Sequence, residues 1–406
     1  MLKKPKKLDM NDQFLPPELL GKLFMHLGIT GIRHALEYER TSKVLAGSPD
    51  VWNSFCGTHG LSIDTCVRLL KNGNALIKSI KRHLEETITF QTNQSDMTHL
   101  LVCDNLIYVS SDDQSLKAFS YDGCLKKNFI GHVGGIWTFG ILKGKPITGS
   151  TDKTARIWDL NTEAAVRVLK YHRSTIRVLR CCNDFIITGS RDHTIGIWSE
   201  IGDLLYRLEG HQQSVRCLDV YGDFLISGSY DGTIKLWDYK KGKFVRDICS
   251  HDRRIYCVKA HNGFIASGGH DSDVKINKID GSSVVSFKYS SSIVAWIDFQ
   301  GHYVVSSSLD GTVVKFNYVS KKLEFTIQEA SPIKCQKVSG NVIIIGTSKE
   351  IKIYSFHTGA LIRVLLEAYM ISKVEMDEWK IIVGFMHEEK YKISVFDYTK
   401  SIQQQE

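Results

Sequence analysis

The hydrophobic rhythm of the chain changes once, near residue 86. Before that point apolar residues recur at helical spacing: in "DQFLPPELLGKLFMHL" Leu19, Leu20, Leu23, Phe24 and Leu27 share one face, with Pro16 and Pro17 where a helix begins. A second helix start follows in "SPDVWNSFC", with Ser48 or Asp50 near the cap and Trp52 as the apolar anchor. Residues 61–85 read as further helix, broken near Asn72-Gly73. From residue 86 the pattern becomes short β-rich runs such as "FLISGS" and "TIKLWD", punctuated by Asp-Gly or its equivalents, the chemistry of tight hairpins.

These runs repeat. The segments "GSTDKTARIWD", "GSRDHTIGIWS" and "GSYDGTIKLWD" end in Trp158, Trp198 and Trp237; degenerate copies place Phe119 before them and Asn277, Phe316, Tyr354 and Phe396 after. Successive spacings of 39, 40, 39, 40, 39, 38 and 42 predict eight units. All-β units of about 40 residues are four-stranded propeller blades, so the expected fold class is mostly β: an eight-bladed propeller after a helical N-terminus. One orphan run, "ETITFQ" at 86–91, precedes the eight inner hairpins, which predicts that an N-terminal strand completes the last blade and covers both open edges.

A histidine lies 20 residues before a turn aspartate in four successive units: His132 with Asp152, His172 with Asp192, His211 with Asp231 and His251 with Asp271. An acid–base catalyst needs one such pair and not four. The repetition therefore predicts a His–Asp–Trp hydrogen-bond brace inside each blade, and a chain that is not an enzyme.

The Gly131-His132 and Gly210-His211 pairs, with Trp158-Asp159 and Trp237-Asp238, resemble WD40 repeats over roughly residues 86–400. The pattern Leu-Pro-x-Glu-Leu through Asp-x-x-Trp, across residues 13–58, resembles an F-box, the helical module that docks onto the Skp-type adaptor of cullin-RING ubiquitin ligases; this copy lacks the Trp often found in mid-module. The resemblance implies that Leu15, Pro16, Leu19, Leu20, Leu23 and Trp52 face the adaptor. Residues 59–85 would then be a helical linker, either a stiff spacer or a segment packed on the first blade. Residues 1–12 and 401–406 are tails, and 12 residues are too few for the dimerisation segment that some such proteins carry.

In WD40 rings one face is lined by the fifth residue after the histidine and by the residue before the turn aspartate. Here these positions give Thr98 and Asp112, Trp137 and Thr151, Arg177 and Arg191, Arg216 and Tyr230, Tyr256 and His270, Ala295 and Leu309, Lys334 and Thr347, and finally Lys373. Three arginines thus fall on adjacent blades, flanked by Trp137, Tyr230 and Tyr256. A planar guanidinium offers paired donors that match phosphate oxygens. The other reading pairs these arginines with loop carboxylates such as Asp112 or Glu209, a contact of little energetic worth.

With "STIR", "GSRD", "SVRC" and "GSYD" around them, these residues are similar to the phosphodegron pocket of eight-bladed F-box/WD40 receptors of the cell-division-control type, as is the long final hairpin "GFMHEEKYKISVFD". That similarity implies a substrate receptor of an SCF-type ubiquitin ligase that binds Ser/Thr-phosphorylated proteins. It adds Ser174 and Thr175 as phosphate contacts, with Lys373 or Lys334 as a second anion contact. Ala295 and Leu309 depart from a fully polar pocket.

Composition narrows the rest. Of the formal charge of +8, residues 1–90 carry a surplus of four, 13 Lys/Arg against 9 Asp/Glu, so the repeat array is only mildly basic. Nucleic acid is therefore a weaker expectation than phosphopeptide, although a WD40 scaffold of an RNA-processing or chromatin assembly stands as the alternative. Lys3-Lys4-Pro5-Lys6-Lys7 is either a nuclear-import signal or a solvated tail, and the expected location is nucleus or cytoplasm. No apolar run reaches membrane-spanning length and no secretory signal is present. The ten cysteines form no C-x-x-C pair, so no metal or cofactor is expected.

Overall fold

The computed structural model describes residues 85–397, apart from 94, 369, 378 and 379. The F-box at 13–58, its six adaptor-facing residues, both tails and nearly all of the 59–85 linker lie outside the described residues. The last linker residue, Glu85, is already the first residue of a strand, one position before the expected start.

The 32 strands form eight antiparallel sheets of four. Seven blades are each a meander of successive strands: 97–130, 136–170, 176–208, 215–250, 255–287, 294–328 and 335–367. The eighth contains three strands from 371–397 and borrows its outer strand, Glu85–Gln91, from the other end of the array. That strand pairs antiparallel with Lys390–Asp397, and Thr89 bonds to Ser394 through their hydroxyls at 2.5 Å. The described residues form an eight-bladed β-propeller closed through the first of their strands. In blade eight the two middle strands meet across Glu388-Glu389, both at positive φ, the geometry of a two-residue hairpin turn.

Apolar side chains of neighbouring blades fill the wedges between sheets. One such cluster joins Val178, Ile187 and Ile197 of blade three to Val215, Leu218 and Trp237 of blade four. Burial of these groups supplies the main stabilisation, at about 25 cal/mol per Å² removed from water.

The expected braces are present, with one addition. His132 Nδ1 lies 2.7 Å from Asp152, His132 Nε2 lies 2.7 Å from Thr148 Oγ1, and Trp158 Nε1 donates to the same hydroxyl at 2.8 Å. The histidine touches the tryptophan ring edge-on but does not hydrogen-bond to it directly; a strand hydroxyl bridges them. Because the carboxylate and the indole fix both ends, the chain has one direction: Trp N–H to hydroxyl, hydroxyl to His Nε2, His Nδ1–H to carboxylate. Thr188 and Ser227 bridge in the same way in blades three and four. In blade five, where Asn277 replaces Trp, Ser267 still meets His251 at 2.9 Å.

Degenerate blades substitute other polar groups. At the histidine position of blade seven the buried carboxylate of Glu329 takes a hydrogen bond from the Tyr354 hydroxyl and an ion pair from Lys352 at 2.9 Å. Asn93 fills the place in blade one, reaching Ser115 and Asp113 at 3.4 Å.

Burial would raise the pKa of Asp152, Asp192 and Asp231, but hydrogen bonds from the histidine, the following Thr and backbone N–H groups outweigh it and hold all three below the carboxylate range. Their stabilisation is therefore present above the unfolded value near pH 4 and is lost as pH falls toward the depressed folded value. Asp192→Asn should destabilise the propeller by roughly 2 kcal/mol at pH 7 and by less at pH 3, measured by denaturant unfolding at both pH values. An equal loss at both would show that the ionised brace is not what the aspartate contributes.

Candidate functional site

A β-bulge sets the direction of the side chains at the channel mouth. In the innermost strand of seven blades the register shifts around one residue: Thr98, Trp137, Arg177, Arg216, Tyr256, Ala295 and Ser372. The extra residue has no cross-strand partner and its side chain is re-aimed. Trp137, Arg177, Arg216, Tyr256 and Ala295 consequently line one central cavity of about 590 Å³.

Six of these bulges fall on positions counted from the sequence. In blade seven the strand after Lys334 pairs without a register shift, and in blade eight the bulge falls elsewhere. Ile371 lies only three residues past the histidine-equivalent Ala368, whereas Ile176 lies four past His172, so the bulge falls on Ser372. Lys373 is one residue further along the strand, paired with Gly384, and lines the interior of the channel instead of its rim.

The three arginines meet no carboxylate. Among the described residues none lies within ion-pair distance of Arg177, Arg191 or Arg216, and Asp112 accepts the Trp137 Nε1–H at 3.1 Å instead. Arg177 lies over the Trp137 ring, 4.7 Å from its centroid, and its Nε is buried with no hydrogen-bond partner among the described residues. Burial lowers the Arg177 pKa; Arg216 and Arg191 push the same way, against Tyr230 and Tyr256. Three like charges thus share one small region at a cost the fold does not relieve. Arg216 sits 6.0 Å from the Tyr256 ring, and Tyr256 packs against Tyr230 with centroids 5.5 Å apart. Arg254, not singled out from the sequence, covers the other side of this pair, 5.1 Å from the Tyr230 ring.

Ser174 and Thr175 occupy the loop before the Arg177 strand. Their carbonyls accept from the Ser190 hydroxyl at 3.1 Å and the Arg191 N–H at 2.9 Å, so this loop anchors Arg191 through the backbone. Neither side chain lines the channel cavity.

Below the rim lies a charged belt that the sequence reading missed. Three residues after each rim position stand Arg180, Asp219, Lys259, Asp298, Lys337 and Glu375, alternating in sign over six consecutive blades, and Leu101 and Gly140 complete the circle. Lys337 pairs with Glu375 at 2.7 Å and Arg180 approaches Asp219 at 3.9 Å. The fixed offset from the rim was the available signal.

Four segments, 123–159, 164–199, 202–238 and 242–276, match the family model described as WD domain, G-beta repeat. These are WD40 repeats. The chain is similar to Cell division control protein 4 of Saccharomyces cerevisiae, 34% identical over 96 residues, and to the Probable E3 ubiquitin ligase complex SCF subunit sconB of Arthroderma otae, 29% identical over 166 residues. The matches cover 22% and 38% of this chain but only 12% and 23% of those proteins. The crystal structure of the computationally designed Ika8 protein superposes on the WD40 ring with a TM-score of 0.72 at 23% identity, over 77% of this chain and 99% of that one, a likeness of fold.

If the rim arginines have no structural partner, their removal costs little. Arg191→Gln and Arg216→Gln should each change the unfolding free energy by less than about 0.5 kcal/mol, measured by denaturant titration. A loss of 2 kcal/mol or more would mean that the arginines brace the ring.

Proposed function

We propose that the protein is the substrate receptor of an SCF-type ubiquitin ligase, binding a Ser/Thr-phosphorylated degron at the channel mouth. The observation that carries this reading is the group of Arg177, Arg191 and Arg216, crowded together without a carboxylate and bordered by Trp137, Tyr230 and Tyr256. A phosphate carries close to two negative charges at neutral pH and accepts several charge-assisted hydrogen bonds, so its arrival relieves the repulsion among the arginines. The aromatic rings supply apolar surface for the residues beside it. The similarity to a probable SCF subunit and to a cell division control protein agrees with this, as does the F-box pattern at 13–58.

In this reading the chain performs no bond chemistry. The F-box holds the Skp-type adaptor, the ring holds the substrate, and a substrate lysine is kept near a ubiquitin-charged enzyme supplied by the complex, so that proximity accelerates transfer.

Each charge-assisted hydrogen bond contributes roughly 1.5–3 kcal/mol. The full chain should therefore bind a fluorescent, Leu-rich Thr-Pro peptide at least about 100-fold more tightly when the Thr is phosphorylated. The triple variant Arg177→Ala, Arg191→Ala, Arg216→Ala should abolish that difference, measured by fluorescence anisotropy. Equal binding of both peptides by the unaltered chain overturns the reading. A steep salt dependence with RNA in its place would point to the scaffold alternative. Separately, Leu15→Ala with Pro16→Ala and Leu19→Ala should remove co-purification with the adaptor and leave peptide affinity unchanged.

A further inference from the structure

The channel beneath the rim is built around a charge imbalance of its own. The belt from Arg180 to Glu375 holds three cations and three carboxylates and is formally neutral. Between the belt and the rim the cavity is lined by Lys373 and His99, together with Arg216 reaching inward from the opposite wall. The corresponding residues of the other blades are Thr138, Val178, Cys217, Cys257, Trp296 and Cys335, none of which brings a carboxylate. Among the described lining residues above the belt only Asp96 is acidic; it is exposed and already accepts the Tyr391 hydroxyl.

Two groups register the missing charge. Lys373 has no ion pair or hydrogen bond among the described residues. Burial lowers its pKa, opposed by Cys335 and reinforced by Arg216. His99 packs edge-on against Phe139, with centroids 5.0 Å apart, and its Nδ1 is shut off from solvent without a partner. Burial, then Lys373, Arg180 and Lys337, lower its pKa to about 3. Lys373 of blade eight faces His99 from above the belt, and Arg180 and Lys337 of blades three and seven act on it from the belt itself, where Asp298 and Glu375 also stand. A neutral imidazole with an unpartnered Nδ1 and a lysine without a counter-ion thus lie on neighbouring blades one and eight, and both can donate a hydrogen bond, the imidazole through whichever ring nitrogen carries its proton.

We propose that Lys373 and His99 form a second, interior anion site in the channel, which takes a single phosphate or carboxylate group with Arg216 at its outer edge. Lys373 supplies the charge, His99 a neutral N–H donor, and the self-neutral belt a floor that stops the anion from passing through. The group can arrive as a free oxyanion or as a second acidic group on a peptide held at the rim. The site follows from the channel's own charges and does not rest on the phosphodegron reading.

His99 is also the reporter. In anion-free buffer its imidazole, followed by NMR in the histidine-labelled full chain and assigned with His99→Gln, should stay neutral from pH 8 down to pH 5. Inorganic phosphate at millimolar concentration should shift the His99 resonances and raise its pKa by at least one unit, because the bound anion offsets Lys373, Arg180 and Lys337. Lys373→Met should remove the response and Lys373→Arg should keep it.

A response to inorganic phosphate identifies a free oxyanion as a sufficient ligand. A response only to a doubly phosphorylated peptide, and not to the singly phosphorylated form, identifies a peptide-borne group. Silence of His99 to all three ligands, or an unchanged response in Lys373→Met, overturns the proposal. Because the phosphate arm contains no peptide, failure of rim binding and failure of this site are read separately.

Discussion

Every distance across the channel depends on the pairing of Glu85–Gln91 with Lys390–Asp397. Strands at the open ends of a sheet array expose unpaired N–H and C=O groups, and closing the array removes both edges at once. The closure uses residues about 300 apart in sequence, such as Thr89 and Ser394, so its loop-closure entropy is large, and burial between all eight blades must offset it. Once closed, the ring fixes blade four opposite blade eight. Arg216 and Lys373 then face each other across the channel although more than 150 residues separate them in the chain.

Within that frame the β-bulge decides what the mouth displays. A regular strand would place alternate side chains against the neighbouring blades, where an arginine could not be accommodated without a partner. The inserted residue leaves the ladder, and Arg177 can reach the Trp137 ring while Ile176 and Val178 on either side stay buried. The same device in seven blades permits residues as different as Trp137, Arg177 and Ala295 on one scaffold. Variation at the mouth is thereby uncoupled from the packing that holds the ring.

Much of this was legible in the sequence because the period is nearly constant. Blade number, the closing strand and the four His–Asp pairs all follow from spacing, and so do Arg177, Arg191 and Arg216 at the rim. Two features escaped for physical reasons. The hydroxyls of Thr148, Thr188 and Ser227 lie in β-rich runs where Ser and Thr are common, and only the folded sheet shows that each bridges an indole to an imidazole. Lys373 was assigned to the rim by counting from a histidine position that blade eight fills with Ala368. A loop one residue shorter moved the bulge to Ser372 and turned the lysine into the channel. The helical pattern of residues 13–58 lies outside the described residues.

The rim and the interior differ most in how water and salt reach them. Exposed charges separated by more than about 8 Å are largely screened at physiological ionic strength, so the field of Arg191, which is exposed, is one that salt weakens. Lys373 and the partnerless Nδ1 of His99 are set into the wall, where the effective dielectric is lower and screening is weaker. A charge inside the channel therefore acts over a shorter range but is harder to compete away. Mobile ions can partly neutralise the arginines of an empty rim, whereas a counter-ion for Lys373 has to enter the 590 Å³ cavity that runs from the rim to the belt. On the two readings proposed above, one ring would combine an outer surface for a phosphorylated chain with an inner position for a single acidic group.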